Sequence, residues 1–237
     1  MTEELRLHWA LHEVDARSVA HERTLARHRE QRAVCETRVS AARKTLVALD
    51  QRVAAAQKRR RELEAGIADF DTQQHRFERQ LEAVTDQRQF EAVRHEIEAV
   101  RAKRDVLETE ALERLEDEER ESSARPERVQ ALERATHEFE VLSARLQTEA
   151  EVVQAELDSL AAQRANAVAG LPPEARTRYE RLRTGRAGIA VAAVRDGACG
   201  ECHHKLTPVA LQEVRRRERL VGCEGCGRLL VSPPDGA

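Results

Sequence analysis

Aromatic side chains are scarce in these 237 residues: one Trp, one Tyr and four Phe amount to 3% of the chain. Rings supply the largest apolar area per side chain, so a deep globular core is hard to fill without them. Breakers are scarcer still at first, with Gly66 and Pro126 the sole glycine and proline among residues 1–169. A stretch so poor in turn formers is not a series of strands and loops. No apolar run approaches the roughly 18 residues that cross a bilayer, and no membrane insertion is expected. The opening "MTEELRLHWALHEV" has no basic flank followed by an apolar stretch, which argues against a secretory signal. The expected compartment is the cytoplasm, where thiols stay reduced and paired cysteines point to metal or redox work.

What is present is Ala, Glu, Leu and Arg in bulk, with 35% of the residues charged, the signature of long helices or coiled coil. The last 68 residues hold the other nine glycines and five prolines, so two architectures meet near Gly170. The net charge of −3 hides a gradient: +2 over residues 1–84, −9 over 85–168 and +4 over 169–237. Opposite charge on the two helical halves favours their lying side by side, although each exposed pair contributes little.

From Leu7 to Val84 a strict 4,3 spacing runs without a slip, and 17 of its 23 positions are apolar. A repeat of 3.5 residues sustained that long predicts a coiled-coil helix with left-handed supercoil. Its weak part is Ser18 to Arg32, where His21 and His28 also occupy the seam. The second half opens with Phe90, Val93, Ile97, Val100, Arg104 and Leu107. It then shifts register at Leu112 and Leu115 and resumes from Val129 to Leu160. Pro126 lies inside this discontinuity, and a proline in a helix interior costs about 3 kcal/mol. A kink or short break is therefore expected at 122–126, with Ser123 near a cap.

A single helix over residues 2–168 would need an oligomer to cover its seam. A turn near 84–88 would instead give two arms of about 80 residues, each about 120 Å long, that bury each other's seams. Thr85 and Asp86 are capping residues, and Gln89, three after Asp86, resembles a capping box. The expected fold is mainly α: an antiparallel coiled-coil hairpin over 1–169, then a linker helix and a small α+β domain over 170–237.

That small domain holds four of the five cysteines as two Cys-x-x-Cys pairs, Cys199/Cys202 and Cys223/Cys226, separated by twenty residues. The spacing matches a structural zinc site with four sulfur ligands. "GIAVAAV" at 188–194 and the apolar residues at 220–221 and 229–231 read as strands, and Thr207-Pro208 starts a short helix. Two disulfides fit poorly with a reducing compartment, and a redox dithiol lacks its strand–CxxC–helix context. One Zn2+ on four thiolates has no open position for water or substrate, so catalysis by the metal is not expected. His203 and His204 are neighbouring alternatives as ligands but read as exposed bystanders, and Cys35 reads as a small seam residue.

Arginines crowd the same region: Arg183 and Arg186 before the ribbon, Arg215, Arg216, Arg217 and Arg219 between the knuckles, and Arg228 after them. They could grip phosphates, or simply solvate the surface of an arginine-rich protein. Tyr179 is the one aromatic among the last 68 residues, which gives base-specific recognition of single strands little support.

Three stretches carry a family resemblance: "TDQRQFEAVRHEIEAV" (85–100), "LPPEARTRYERLR" (171–183) and the segment 188–231 with its closing Cys-x-x-Cys-Gly-Arg. Together they resemble the bacterial coiled-coil proteins with a C-terminal zinc ribbon of the four-cysteine type. The resemblance implies an antiparallel hairpin whose tip carries Asp86, Phe90 and Glu91, and a ribbon with Cys199, Cys202, Cys223 and Cys226 as zinc ligands. It also implies a non-enzymatic role, since members are described as nucleic-acid binders or as adaptors and chaperones linked to sigma factors, flagellar regulation and secretion. The residues themselves offer no paired acid and base, nucleophile constellation or phosphate loop, and no small-molecule substrate is expected. Two readings follow: an adaptor that docks protein partners through hairpin and ribbon, or a regulator that binds RNA or DNA through the arginines.

Overall fold

The computed structural model describes residues 2–232. The chain divides into two units, one of Met1–Ala33 with Leu142–Ala237 and the other of Val34–Val141. Two helices run through both. Helix α1 spans Glu3–Ala83 and helix α2 spans Gln87–Ala169. The link at 84–86 is short, and the Asp86 carbonyl accepts from the Phe90 amide at 2.9 Å to open α2.

Within the 34–141 unit the two helices lie antiparallel, as the cross-helix pairs require: Asp50 with Arg125, Arg59 with Glu110, and Glu78 with Arg101. Each pair joins a later residue of one helix to an earlier residue of the other. On α1 the seam positions from Cys35 to Val84 are buried or half-buried, Leu49 and Leu63 most completely. On α2, Val93, Ile97 and Val100 face them.

The seam departs from the sequence reading beyond Leu107. Leu112 and Leu115 do not enter it; they are 61% and 37% exposed. Ala111, Arg114, Glu118 and Glu121 are half-buried in their place, continuing the 4,3 spacing set by Val93 to Leu107. The reason is electrostatic as well as periodic. Glu118 accepts from Gln57 at 2.9 Å and from Arg60 at 3.3 Å, and Glu121 accepts from Arg52 at 2.9 Å. The polar residues of α1 thus find their partners only if α2 keeps its register.

The register changes later, between Glu121 and Leu132. From Leu132 the half-buried and buried positions recur as Thr136, Phe139, Ser143 and Leu146, which amounts to one extra four-residue step. Such an insertion locally unwinds a coiled coil. Pro126 lies in this step, yet no break occurs at 122–126: α2 is helical throughout. The proline removes one backbone donor, and the pairs Arg52–Glu121 and Arg125–Asp50 tie α2 to α1 in the turn just before it.

In the other unit, helix α3 (Pro173–Gly185) follows α2 and leads into strand β1 (Val191–Arg195). Strand β2 (Ala198–Cys199), helix α4 (Pro208–Arg216), strand β3 (Val221–Gly222) and strand β4 (Leu229–Val231) complete it. The sheet order is β2-β1-β4-β3, with β1 and β4 parallel and the outer pairs antiparallel. Alternation along the central strands separates two apolar layers. Val191, Leu229 and Val231 pack with Leu11 of α1, Tyr179 of α3 and Leu171 of the link between α2 and α3. Ala192 and Leu230 point the other way, to Leu206, Ala210, Val214 and the cysteines. Thr207 caps α4, its hydroxyl accepting from the Ala210 amide at 3.2 Å.

Candidate metal centre

The Cys-x-x-Cys pairs sit on two turns of the same design. In the first, the Cys199 amide donates to the His204 carbonyl (3.0 Å) and the His203 amide donates to the Cys199 carbonyl (2.9 Å). In the second, the Cys223 amide donates to the Arg228 carbonyl and the Gly227 amide to the Cys223 carbonyl, both at 2.8 Å. The fifth residue of each turn is left-handed: His203 at φ 61° and Gly227 at φ 77°. His203 therefore has a backbone role, and its side chain and that of His204 are exposed. Gly200 is needed for a different reason, since a Cβ there would lie 2.7 Å from the Ala193 carbonyl oxygen.

These turns aim four thiols at one point. The Sγ atoms of Cys199 and Cys226 are 3.9 Å apart, those of Cys202 and Cys223 are 3.6 Å apart, and all four lie within 4.8 Å of one another. A tetrahedral ion with metal–sulfur bonds of about 2.3 Å requires sulfur–sulfur separations of about 3.8 Å. The donor set and its spacing fit zinc. Cys199, Cys223 and Cys226 are buried while Cys202 is the most open of the four. Burial pushes the Cys199 thiol up to about 12 and also raises Cys223. Burial acts on Cys226 in the same sense but is outweighed by hydrogen bonds from Arg228, which bring it to about 7. Among the described residues, no other group of three or more metal-ligating side chains converges in this way. Cys35 stands apart, half-buried on α1.

The arginines divide by environment. Arg228 donates to the carbonyls of Ile189 (2.9 Å) and Arg186 (3.0 Å), so it braces the approach to β1. Arg183 reaches Asp15 at 3.4 Å, and Arg219 pairs with Glu213. Arg217 takes the left-handed position that ends α4. Arg186, Arg215 and Arg216 are exposed, the last two in the final turn of α4 where positive charge complements the helix dipole. At the other end of the hairpin, Asp86, Phe90 and Glu91 are exposed, Phe90 by 38%.

Sequence reasoning missed a polar cluster that joins α1 to the ribbon. Asp15 and Tyr179 are both sealed from solvent, and the tyrosine hydroxyl lies 3.0 and 2.9 Å from the two carboxylate oxygens. His12 Nδ1 lies 2.9 Å from the Val191 carbonyl of β1, and the buried His8 holds the Glu4 carbonyl at 2.7 Å. Burial raises Asp15, opposed by Tyr179 and Arg183, and burial followed by the Asp15 charge raises Tyr179. His8 is lowered, chiefly by burial. The one usable signal was that Tyr179 is the only tyrosine, and a buried tyrosine hydroxyl finds a partner.

A helical hairpin continued by a four-cysteine ribbon is a defined class of protein. The chain belongs to the family of the CT398-like coiled coil hairpin domain, whose model matches residues 11–187. Solved structures similar to it include the following three. The structure of CT398 from Chlamydia trachomatis has a TM-score of 0.86 at 22% identity, covering 98% of each chain. HP0958 from Helicobacter pylori gives 0.68 at 16% identity, covering 100% of this chain and 99% of that one. A protein from Mycobacterium smegmatis gives 0.62 at 18%, covering 98% and 100%. At these identities the likeness is one of fold. No curated protein matches.

Proposed function

We propose that the chain is a non-enzymatic zinc-binding adaptor that docks protein partners through its hairpin and its ribbon, working in the cytoplasm. Zinc, when bound, ties the two knuckles into one body. Cys199, Cys202, Cys223 and Cys226 would take all four of its positions, which leaves the ion structural. The observation that carries the docking role is at the start of α2, beside the hairpin link, where the aromatic Phe90 stands 38% exposed between the acidic Asp86 and Glu91. A partner that covers its ring would remove that apolar area from water, and aromatic anchors of this kind dominate binding energy. Among the described residues no helix is long and apolar enough to cross a membrane.

Binding of RNA or DNA by the arginines is less supported by the geometry. Arg183, Arg219 and Arg228 are directed at protein acceptors, which leaves the exposed Arg186, Arg215 and Arg216. The deciding experiment is capture on the tagged full chain from its native host, with and without nuclease, read by mass spectrometry. Nuclease-resistant proteins lost on replacing Phe90 with Ser support docking. Capture that nuclease abolishes, and that falls when Arg215 and Arg216 become Ala, overturns it in favour of a nucleic-acid binder. Capture of nothing above background also overturns it.

A further inference from the structure

Leu112 and Leu115 are 61% and 37% exposed, while the neighbouring Arg114 and Glu118 occupy the half-buried seam. The usual arrangement is inverted over this one turn of α2. At 100° per residue, positions 105, 108, 112, 115, 116 and 119 fall within an arc of about 100° beside the seam. Asp105, Glu108, Glu116 and Glu119 thus surround the two leucines. Of the nine acids in 105–121, Glu110, Glu118 and Glu121 pair with Arg59, Arg60 and Arg52 of α1, and Glu113 and Asp117 pair with Arg114 and Arg120. Arg104 offsets part of this charge, 3.1 Å from Glu108 and 3.6 Å from Asp105, but Glu116 and Glu119 face solvent further along.

From the adaptor reading, on which this inference rests, we infer that this flank of α2 receives a basic amphipathic helix of a partner protein. Two leucines three residues apart match the apolar stripe of an approaching helix, and the carboxylates on either side select lysine or arginine beside that stripe. The same charge disfavours competing occupants. A second copy docked by this same flank would set acid against acid, and nucleic acid or an anionic membrane would be repelled. The leucines anchor and the acids orient, so affinity depends on both the partner's pattern and its charge.

The test uses the full-length protein and an 18-residue peptide of leucine and lysine with the leucines on one helical face. A shuffled isomer of equal charge and composition is the control, with binding followed by fluorescence anisotropy at low and moderate salt. The patterned peptide is expected to bind at least tenfold tighter than the shuffled one. The double variant Leu112→Ser, Leu115→Ser should erase that difference while its thermal midpoint stays within a few degrees of the parent. Glu116→Lys with Glu119→Lys should weaken the patterned peptide at least tenfold at low salt. Equal affinity for the two peptides, or a preference that survives the serine variant, overturns the inference. So does a midpoint that drops steeply, because the leucines would then belong to the fold. Self-association of the parent that the serine variant disperses overturns it as well. In host capture, partners retained in full by the serine variant refute this surface and leave the adaptor reading intact; capture of nothing refutes that reading itself.

Discussion

The Tyr179 hydroxyl lies between both carboxylate oxygens of Asp15, at 3.0 and 2.9 Å, and neither residue sees solvent. One belongs to α3 and the other to α1, 164 positions apart. The contact therefore fastens the linker to the hairpin within one unit. Asp15 is a costly residue to bury, and the tyrosine donor with Arg183 offsets much of that cost. Tyr179→Phe keeps the ring and removes the donor, leaving a buried carboxylate with one partner fewer. A loss of about 2 kcal/mol is expected by chemical denaturation. A change below a few tenths would mean that water replaces the hydroxyl there.

His8 gives the same unit a pH dependence of known sign. Its burial lowers the folded-state pKa below that of an ordinary imidazole, so the neutral ring is the form that folds. Stability from this site is complete above the unfolded value and is lost as pH falls below it toward the lowered folded value. The slope is at most about 1.4 kcal/mol per pH unit for one proton. Thermal midpoints at pH 7.5 and 5.5 should fall further apart in the parent than in His8→Leu, which has no proton to gain. Equal differences in both proteins would remove His8 from the account.

Much of the architecture was legible because it rests on periodic or closely spaced signals. A 4,3 repeat of apolar residues from Leu7 onward names the seam of α1, and two Cys-x-x-Cys pairs name the metal centre. The polar cluster had no such signal. Asp15, His8 and His12 sit among other charged residues of α1, and their partners lie far along the chain or on the backbone. Leu112 and Leu115 misled for a related reason. Apolar character is a poor proxy for burial there, because the ion pairs of Glu118 and Glu121 hold the register in which the leucines face outward.

The twin knuckles allow an internal comparison. His203 and Gly227 occupy equivalent left-handed positions, at φ 61° and 77°, and glycine adopts that geometry without steric cost. His203→Gly is expected to hold or gain stability, by up to about 1 kcal/mol. Gly227→Ala should lose about 1 kcal/mol or more. Zinc content should stay at one per chain in the histidine variant, as counted by elemental analysis. A loss of zinc on replacing His203 would make that side chain a ligand after all.

Removing a sulfur should separate the two architectures. Cys223→Ser is expected to reduce bound zinc from about one per chain to near zero, and strong chelators should do the same to the parent. Because thiolates are the ligands, zinc affinity should fall as pH falls, and binding should release protons. The ribbon then loses its staple, but α1 and α2 hold 81 and 83 residues, and their stretch within 34–141 forms a unit that contains no ribbon residue. Far-ultraviolet circular dichroism should keep most of its helical signal. Its collapse would show that the metal supports the hairpin as well.

Pro126 separates two explanations of the register change. It is exposed inside a continuous helix, where it forgoes one backbone hydrogen bond at a cost of about 3 kcal/mol. The extra four-residue step between Glu121 and Leu132 is there too, and the half-buried seam residues on both sides fix it by their spacing. If packing alone sets the step, Pro126→Ala leaves it in place and recovers part of the cost, raising the thermal midpoint. If the proline holds the local unwinding that the step requires, alanine lets the helix rewind and pulls Glu121 away from Arg52, and the midpoint falls. The first outcome is expected, because the pairs Arg52–Glu121 and Asp50–Arg125, just ahead of the proline, hold the register without it.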